Sequence, residues 1–234
     1  MAINIDTVYQ KVLAITNKEQ RGYITPQEFN LLASKAQDDI FENYFHDIKT
    51  AYQKRKNHTG YSDELEILDE KLHPFRTSTT FTQIADNPTL NISGNTAALY
   101  YLDTITKADG EITKMSQHEL VYTENNPLTR ATASRMVYVR DSEAFATLYP
   151  TPTVSTEMVI NYLQTPTTPN WSYIVVNEKA LFNANLATNF QLHVSEEENL
   201  VTKILLLAGA IIKQPDIQQV AMADAQMRTQ EKNN

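Results

Sequence analysis

The sequence predicts an α+β protein: an N-terminal helical hairpin and a C-terminal helix forming a bundle, with a central antiparallel β-sheet or sandwich inserted between them. Three observations carry this expectation. Charge is dense at the N-terminal end and thin in the middle, with 10 basic and 12 acidic residues in 1–76, 6 and 10 in 77–194, and 4 and 6 in 195–234. Apolar residues in the outer segments recur at three- and four-residue steps, the period of a helix face. Between them the pattern becomes short β-branched and aromatic runs punctuated by Asn, Asp, Gly and Pro. The expected domains are a helical one from 1–76 and 195–234 and a β-rich one from 77–194.

Taken in order, Val8, Val12, Leu13 and Ile15 mark a short helix ending near Asn17. Thr25-Pro26-Gln27-Glu28 starts a second, with Thr25 as cap, Pro26 at the first helical position and Glu28 reaching back. The stripe of Phe29, Leu32, Ala33, Ala36, Ile40, Tyr44, Ile48, Ala51 and Tyr52 carries it for about 30 residues, roughly 45 Å. A helix from Ser62 to Leu72 completes the hairpin and Pro74 ends it. In the middle, 77–84, 96–105, 134–141, 144–150, 157–164 and 171–177 read as strands, and 116–122 as a small helical insertion. Ser195 followed by Glu196, Glu197 and Glu198 reads as a capping box whose acids favour the helix dipole. Leu200, Val201, Ile204, Leu205, Leu207, Ala208, Ile211 and Ile212 form the stripe behind it. Pro215 breaks that helix, and a last one from Asp216 to Arg228 carries Ile217, Val220 and Met227.

Composition narrows the function. The 234 residues hold 20 Lys+Arg against 28 Asp+Glu, a net charge of −8. An acidic chain lacks the basic face that sequence-reading nucleic-acid binders use to displace counterions. With no cysteine, disulfides, thiolate catalysis, zinc fingers and iron–sulfur clusters are excluded. Five glycines leave little room for phosphate-cradling loops. The opening MAINIDTVYQ is not a signal sequence. The most apolar run, Ile204 to Ile212, is nine residues against the roughly 20 that span a bilayer. A protein made in a reducing cytoplasm is expected, with no membrane role.

Motifs with chemistry are sparse. Asn17, Glu19, Arg21, Gly22, Ile24 and Glu28 fall at the spacing of a calcium loop, but Arg21 puts a fixed positive charge where a ligand oxygen belongs. The Thr25 cap and Pro26 explain the same residues as a connector between helices. The 105–116 string fails as a calcium loop and reads as an Ala-Asp-Gly turn. His46, His58, His73, His118 and His193 are scattered without metal-binding spacing, and no GxSxG elbow is present. Asp38-Asp39 and Asp69-Glu70 sit on polar helix faces. The Lys54-Arg55-Lys56 run is explained by a helix C-terminus. No enzyme, catalytic residue, metal or cofactor is expected.

Two stretches carry a resemblance. They are LYPTPTVSTEMVINYLQTPTTPNWSYIVVNEKALFN (148–183), with its Pro166, Pro169 and Trp171 turn, and FQLHVSEEENLVTKILLLAGAIIKQPDIQQVAMADAQ (190–226). Together with the opening NIDTVYQKVLAITNKEQRGYITPQEFNLLASKAQDDIFENYF (4–45), they resemble neck or connector proteins of tailed-phage virions, including those of marine and crAss-like phages. The resemblance implies a structural virion protein forming a homo-oligomeric ring, often a dodecamer, beneath the portal protein and against the tail or further neck rings. Genomic DNA would pass through the lumen without sequence-specific binding, and an acidic lumen would repel its phosphates. The protein would reside in the virion, after assembly from the host cytoplasm. The β-rich middle is larger than a minimal helical adaptor needs.

On this reading the subunit and portal interface is expected at Phe29, Ile40, Tyr44 and Ile48 on the long helix and Ile217, Val220 and Met227 on the last. The competing reading makes them the inside of a bundle. An alternative function is a tail-associated binding module whose β domain recognises a host glycan or another tail protein, with Tyr100, Tyr101, Tyr149, Tyr162 and Trp171 as stacking platforms.

Overall fold

The computed structural model describes residues 2–16, 24–55 and 62–212, with 222, 223 and 226 beyond them. The first helices are α1 (Ile5–Thr16), α2 (Pro26–Arg55) and α3 (Ser62–Leu72). Next come β1 (Arg76–Gln83), β2 (Thr89–Asn91), α4 (Ile92–Asn95), β3 (Leu99–Lys107), β4 (Gly110–Met115) and α5 (Gln117–Glu124). The chain continues through β5 (Val137–Arg140), β6 (Phe145–Tyr149), β7 (Thr156–Gln164), β8 (Tyr173–Val176), β9 (Lys179–Phe182) and α6 (Glu197–Ile212). It forms two compact units, one of Met1–Pro74 with Pro166–Asn234 and one of Phe75–Thr165. Residues 166–194, grouped by their strand-like pattern with the β-rich segment, thus belong to the helical unit.

In that unit the start of α2 is built as its sequence predicts. Glu28 Oε2 accepts from Thr25 N at 2.9 Å and from Thr25 Oγ1 at 2.8 Å, while Glu28 N donates to Thr25 Oγ1. Val8, Tyr9 and Val12 of α1, Phe29, Ala33 and Ile40 of α2, Leu72 of α3 and Leu200 and Ile204 of α6 are all buried. The expected helical bundle is nevertheless a correction, because extended chain enters the core: Trp171, Phe190 and Leu192 are buried too. Buried extended backbone needs partners for its N–H and C=O groups, and amide side chains supply them. Gln37, fully buried, donates to Thr167 O at 2.8 Å and accepts from Gln191 N at 3.0 Å. Asn30 Oδ1 accepts from Trp171 N at 2.8 Å, Asn189 Oδ1 accepts from Ile5 N at 3.1 Å, and Gln191 Nε2 donates to Pro74 O at 3.0 Å.

The expected capping box at Ser195 also gives way. A 3-10 turn, Val194–Glu196, leads into α6, and His193 Nδ1 accepts from Ser195 N to cap it. Glu196 turns inward to Lys71 at 2.6 Å and takes Asn199 Nδ2 at 2.8 Å. Glu197 and Glu198 meet Lys11 at 2.8 and 2.5 Å. Glu196 is buried, and without a cation beside it its carboxylate would be an uncompensated buried charge, so pairing with Lys71 replaces the exposed helix-end role.

The second unit is one seven-stranded sheet in the order β1-β7-β3-β4-β5-β6-β2. This corrects the expected antiparallel sheet or sandwich: the sheet is mixed and nearly closes into a barrel. Gln83 Nε2, at the end of β1, donates to Thr89 O of β2 at 3.1 Å and so links the two edge strands. The one parallel pair is β4–β5, Thr113↔Val137 to Met115↔Val139. A parallel return needs a crossover of a dozen or more residues, and the segment containing α5 provides it. Leu90, Ile105, Ile112, Tyr138, Leu148, Met158 and Ile160 share the core. Both faces of β5 are covered: Tyr138 joins this core, while Val137 and Val139 pack with Leu120 of α5 and Ala131.

Two irregularities interrupt the pairing of β3 with β7. Between Leu99 and Tyr101, and again between Leu102 and Thr104, two β3 residues oppose one on β7. Such bulges redirect side chains to a face they would otherwise leave.

Candidate functional site

The feature with the clearest chemical consequence is the β8–β9 hairpin, which pairs Tyr173↔Phe182 through Val176↔Lys179 and joins no other strand among the described residues. Its turn residues Asn177 and Glu178 have φ of 49° and 64°. Positive φ at both central positions is the type I′ signature, whose twist matches that of paired strands. Strand alternation puts Tyr173, Val175, Ala180 and Phe182 on one face and Ile174, Val176 and Leu181 on the other. Val175 is 67% exposed, Ile174 52% and Leu181 48%. Both faces of the arm therefore offer apolar surface to solvent.

Its base is held firmly. The buried Trp171 ring stacks on Tyr173 at 5.8 Å and Phe182 at 5.7 Å, and meets Tyr9 at 4.3 Å. Its indole N–H donates to Asp6 Oδ1 at 2.9 Å. An isolated two-stranded hairpin is marginal in water, so this aromatic clasp is what keeps the arm formed while its outer half stays bare.

The residues singled out for an interface lie elsewhere. Phe29, Ile40 and Tyr44 are buried inside their own unit, Phe29 with its ring 4.7 Å from that of Tyr9, and Ile48 is half-buried. As long as the unit stays closed, the first three have no surface to give a neighbour. The Tyr44 hydroxyl finds no hydrogen-bond partner among the described residues, and burial, then Glu196 and Asp47, push its phenol far up. Ile217, Val220 and Met227, like the Pro215 break, lie outside the described residues.

The stacking candidates divide. Trp171 and Tyr162 are buried, Tyr162 with its hydroxyl accepting from Ala97 N at 3.1 Å, whereas Tyr100 and Tyr101 are exposed. Of the calcium-loop positions, Asn17, Glu19, Arg21 and Gly22 lie outside the described residues, and Glu28 is engaged in its cap. The side chains of Lys54 and Arg55, and all of Lys56, lie outside them as well. Among the described residues no three His, Asp or Glu side chains gather as a metal ion would require, and no helix is long and apolar enough to cross a membrane.

Two clefts mark the barrel unit. An open one of about 700 Å³ lies where β4 and β5 end, lined by Lys114, Glu119, Arg140, Asp141 and Glu143 among others. Three of its charged side chains are already engaged: Arg140 donates to Ser142 O and Glu143 O, Asp141 accepts from Thr147 Oγ1, and Glu119 caps α5. A smaller one of about 330 Å³ is lined by Arg76, Ser78, Asp103, Asn161 and Leu163 with Thr77 and Tyr162. No protein-family model matches the sequence, and no curated protein matches it.

The arm went unseen in sequence because Glu178 occupies the turn position where glycine is usual. The legible signal was Val-Val-Asn-Glu-Lys-Ala-Leu-Phe, two strand-like runs with a two-residue break.

Proposed function

We propose that this protein is a non-enzymatic structural component that assembles with copies of itself, as a ring in the neck of a tailed-phage virion between portal and tail. The observation that supports the reading is the apolar β8–β9 arm, clasped at its base and bare at its end. An arm of this kind docks on a neighbour's complementary surface; repeated head to tail, such contacts close into a ring.

Magnitude decides how tightly. Burying the exposed half of each large arm side chain yields about 1 kcal/mol, so the arm supplies several kcal/mol. Association costs about 4–15 kcal/mol of lost freedom. The arm alone does not hold two copies together at ordinary concentrations, and assembly waits for a template that positions neighbours, the role the portal fills.

Light scattering on the full chain, alone and with the portal protein of the same virion, tests this. A portal-dependent jump from 26.6 kDa to a multi-copy species is expected, and an Ile174→Asp/Leu181→Asp double variant should stay monomeric. A wild-type chain that remains a monomer beside the portal would sink the ring. The second reading, a binding module, is favoured by one observation: Tyr100 and Tyr101 stand side by side and exposed on β3.

A further inference from the structure

We propose that the barrel unit carries a binding site for a single neutral sugar ring, formed where the two β3 bulges meet the small cleft on β1 and β7. The proposal rests on the binding-module reading and is independent of the ring. In a regular strand, Tyr100 and Tyr101 would face opposite ways, and so would Asp103 and Thr104. Each bulge sets one extra β3 residue against β7, Tyr100 and Tyr101 opposite Leu163 and Asp103 and Thr104 opposite Asn161. Both tyrosines are exposed, at 47% and 56%, and Tyr101, which is not in the cleft's lining itself, pairs with Leu163, which is. Asp103 is exposed too and lines the cleft with Asn161. Asn161 is fixed, donating through Nδ2 to Thr104 Oγ1 at 2.9 Å, so its orientation is set before any ligand arrives.

The chemistry of this surface selects its ligand. A phenol ring covers an apolar C–H face, while a carboxylate and an oriented amide accept and donate to adjacent hydroxyls. Pyranoses present both features together. Nucleic acid would bring many phosphates to a chain of net charge −8, where Arg76 is the single cation in the cleft's lining and Asp103 lies with it. A peptide adding a strand would pair along the free side of β1, away from Asp103 on β3 and Asn161 on β7. A purely apolar ligand would strand the polar lining. The volume lies at the small end of the about 300–1,000 Å³ typical of ligand sites, enough for one ring and not for an extended chain.

Saturation-transfer NMR on the full chain tests the site, with methyl glycosides of neutral hexoses, deoxyhexoses and N-acetylhexosamines as probes and inorganic phosphate and a short oligonucleotide as controls. At least one glycoside should receive saturation at its ring protons. Tyr101→Ala should weaken that binding about tenfold, and Asp103→Ala should weaken it comparably. Both positions are exposed, and an unchanged amide spectrum elsewhere shows that each variant is folded. Silence across the whole glycoside panel, binding of the anionic controls instead, or wild-type affinity in folded Tyr101→Ala would overturn the proposal. None of these outcomes bears on the portal-dependent mass, so the two readings fail separately.

Discussion

Gln37 shows how one side chain can organise a unit. It sits on the long helix α2, and it is fully buried because both ends of its amide are used, one on Thr167 and one on Gln191. Gln37→Ala would leave a backbone carbonyl and an N–H buried without partners, at about 1–3 kcal/mol each when unsatisfied. A loss of about 2–4 kcal/mol in urea unfolding is expected, and Gln37→Glu should fare no better because it cannot donate to Thr167 O. A change below 1 kcal/mol in either variant would mean that water replaces the amide. Glu196 carries a similar burden through Lys71 and Asn199. Neither residue stands out in the sequence: a glutamine on a helix and an acid in a helix's first turn both have ordinary explanations, and their roles follow from segments more than a hundred residues away.

Among the elements, the β8–β9 hairpin has the most to reveal about function. Its I′ turn obliges Glu178 to adopt φ of 64°, where a side chain is disfavoured by roughly 1–2 kcal/mol and glycine is not. Glu178→Gly should therefore firm the turn by about 1 kcal/mol, read as slower amide exchange at Val176 and Lys179 with little change at α2. If exchange there is unchanged or faster, the turn is not strained. The long helix α2 and the short α5 contrast with this arm, because the start of each is closed by residues three positions apart. Thr25 with Glu28, and Ser116 with Glu119, place a hydroxyl and a carboxylate three residues apart, and both close into reciprocal caps.

Over the whole molecule those caps set an acid limit. The Glu28 carboxyl is held below its ordinary range by the Thr25 backbone and side chain, and Glu119 likewise by Ser116. A depressed folded-state value means stability that is complete above the ordinary carboxylate range and is lost as pH falls through the depressed one. Asp38 acts in the opposite sense, since burial raises its carboxyl and protonation relieves that cost. The share belonging to the two caps is lost on acidification below about pH 4, so it shows as the difference between the urea midpoints of proteins with and without them. A Glu28→Gln/Glu119→Gln variant, which keeps side-chain acceptors without the titration, should show a shallower fall. Identical pH profiles for the two proteins would show that these carboxylates titrate normally.

What the sequence determined by itself is local. The periods that separate helix from strand, the caps of α2 and α5, and the bounds of α3 are written in neighbouring residues, because helices and their ends are made by contacts three or four positions apart. The tertiary structure alone decided the rest. Strand segments were legible, yet not that β4 and β5 would run parallel, nor that the edges would meet through Gln83 and curl the set into a near-barrel. Period-two patterns record which side of a strand is buried and carry no address for its neighbour. The same limit hid the candidate sites. Tyr100 and Tyr101 look like alternating strand residues until the bulge opposite Leu163 exposes both, and the apolar 173–182 run looks like core, yet Ile174, Val175 and Leu181 are exposed. A hydrophobic residue records its preference for burial, and the fold decides whether the chain or a partner supplies it.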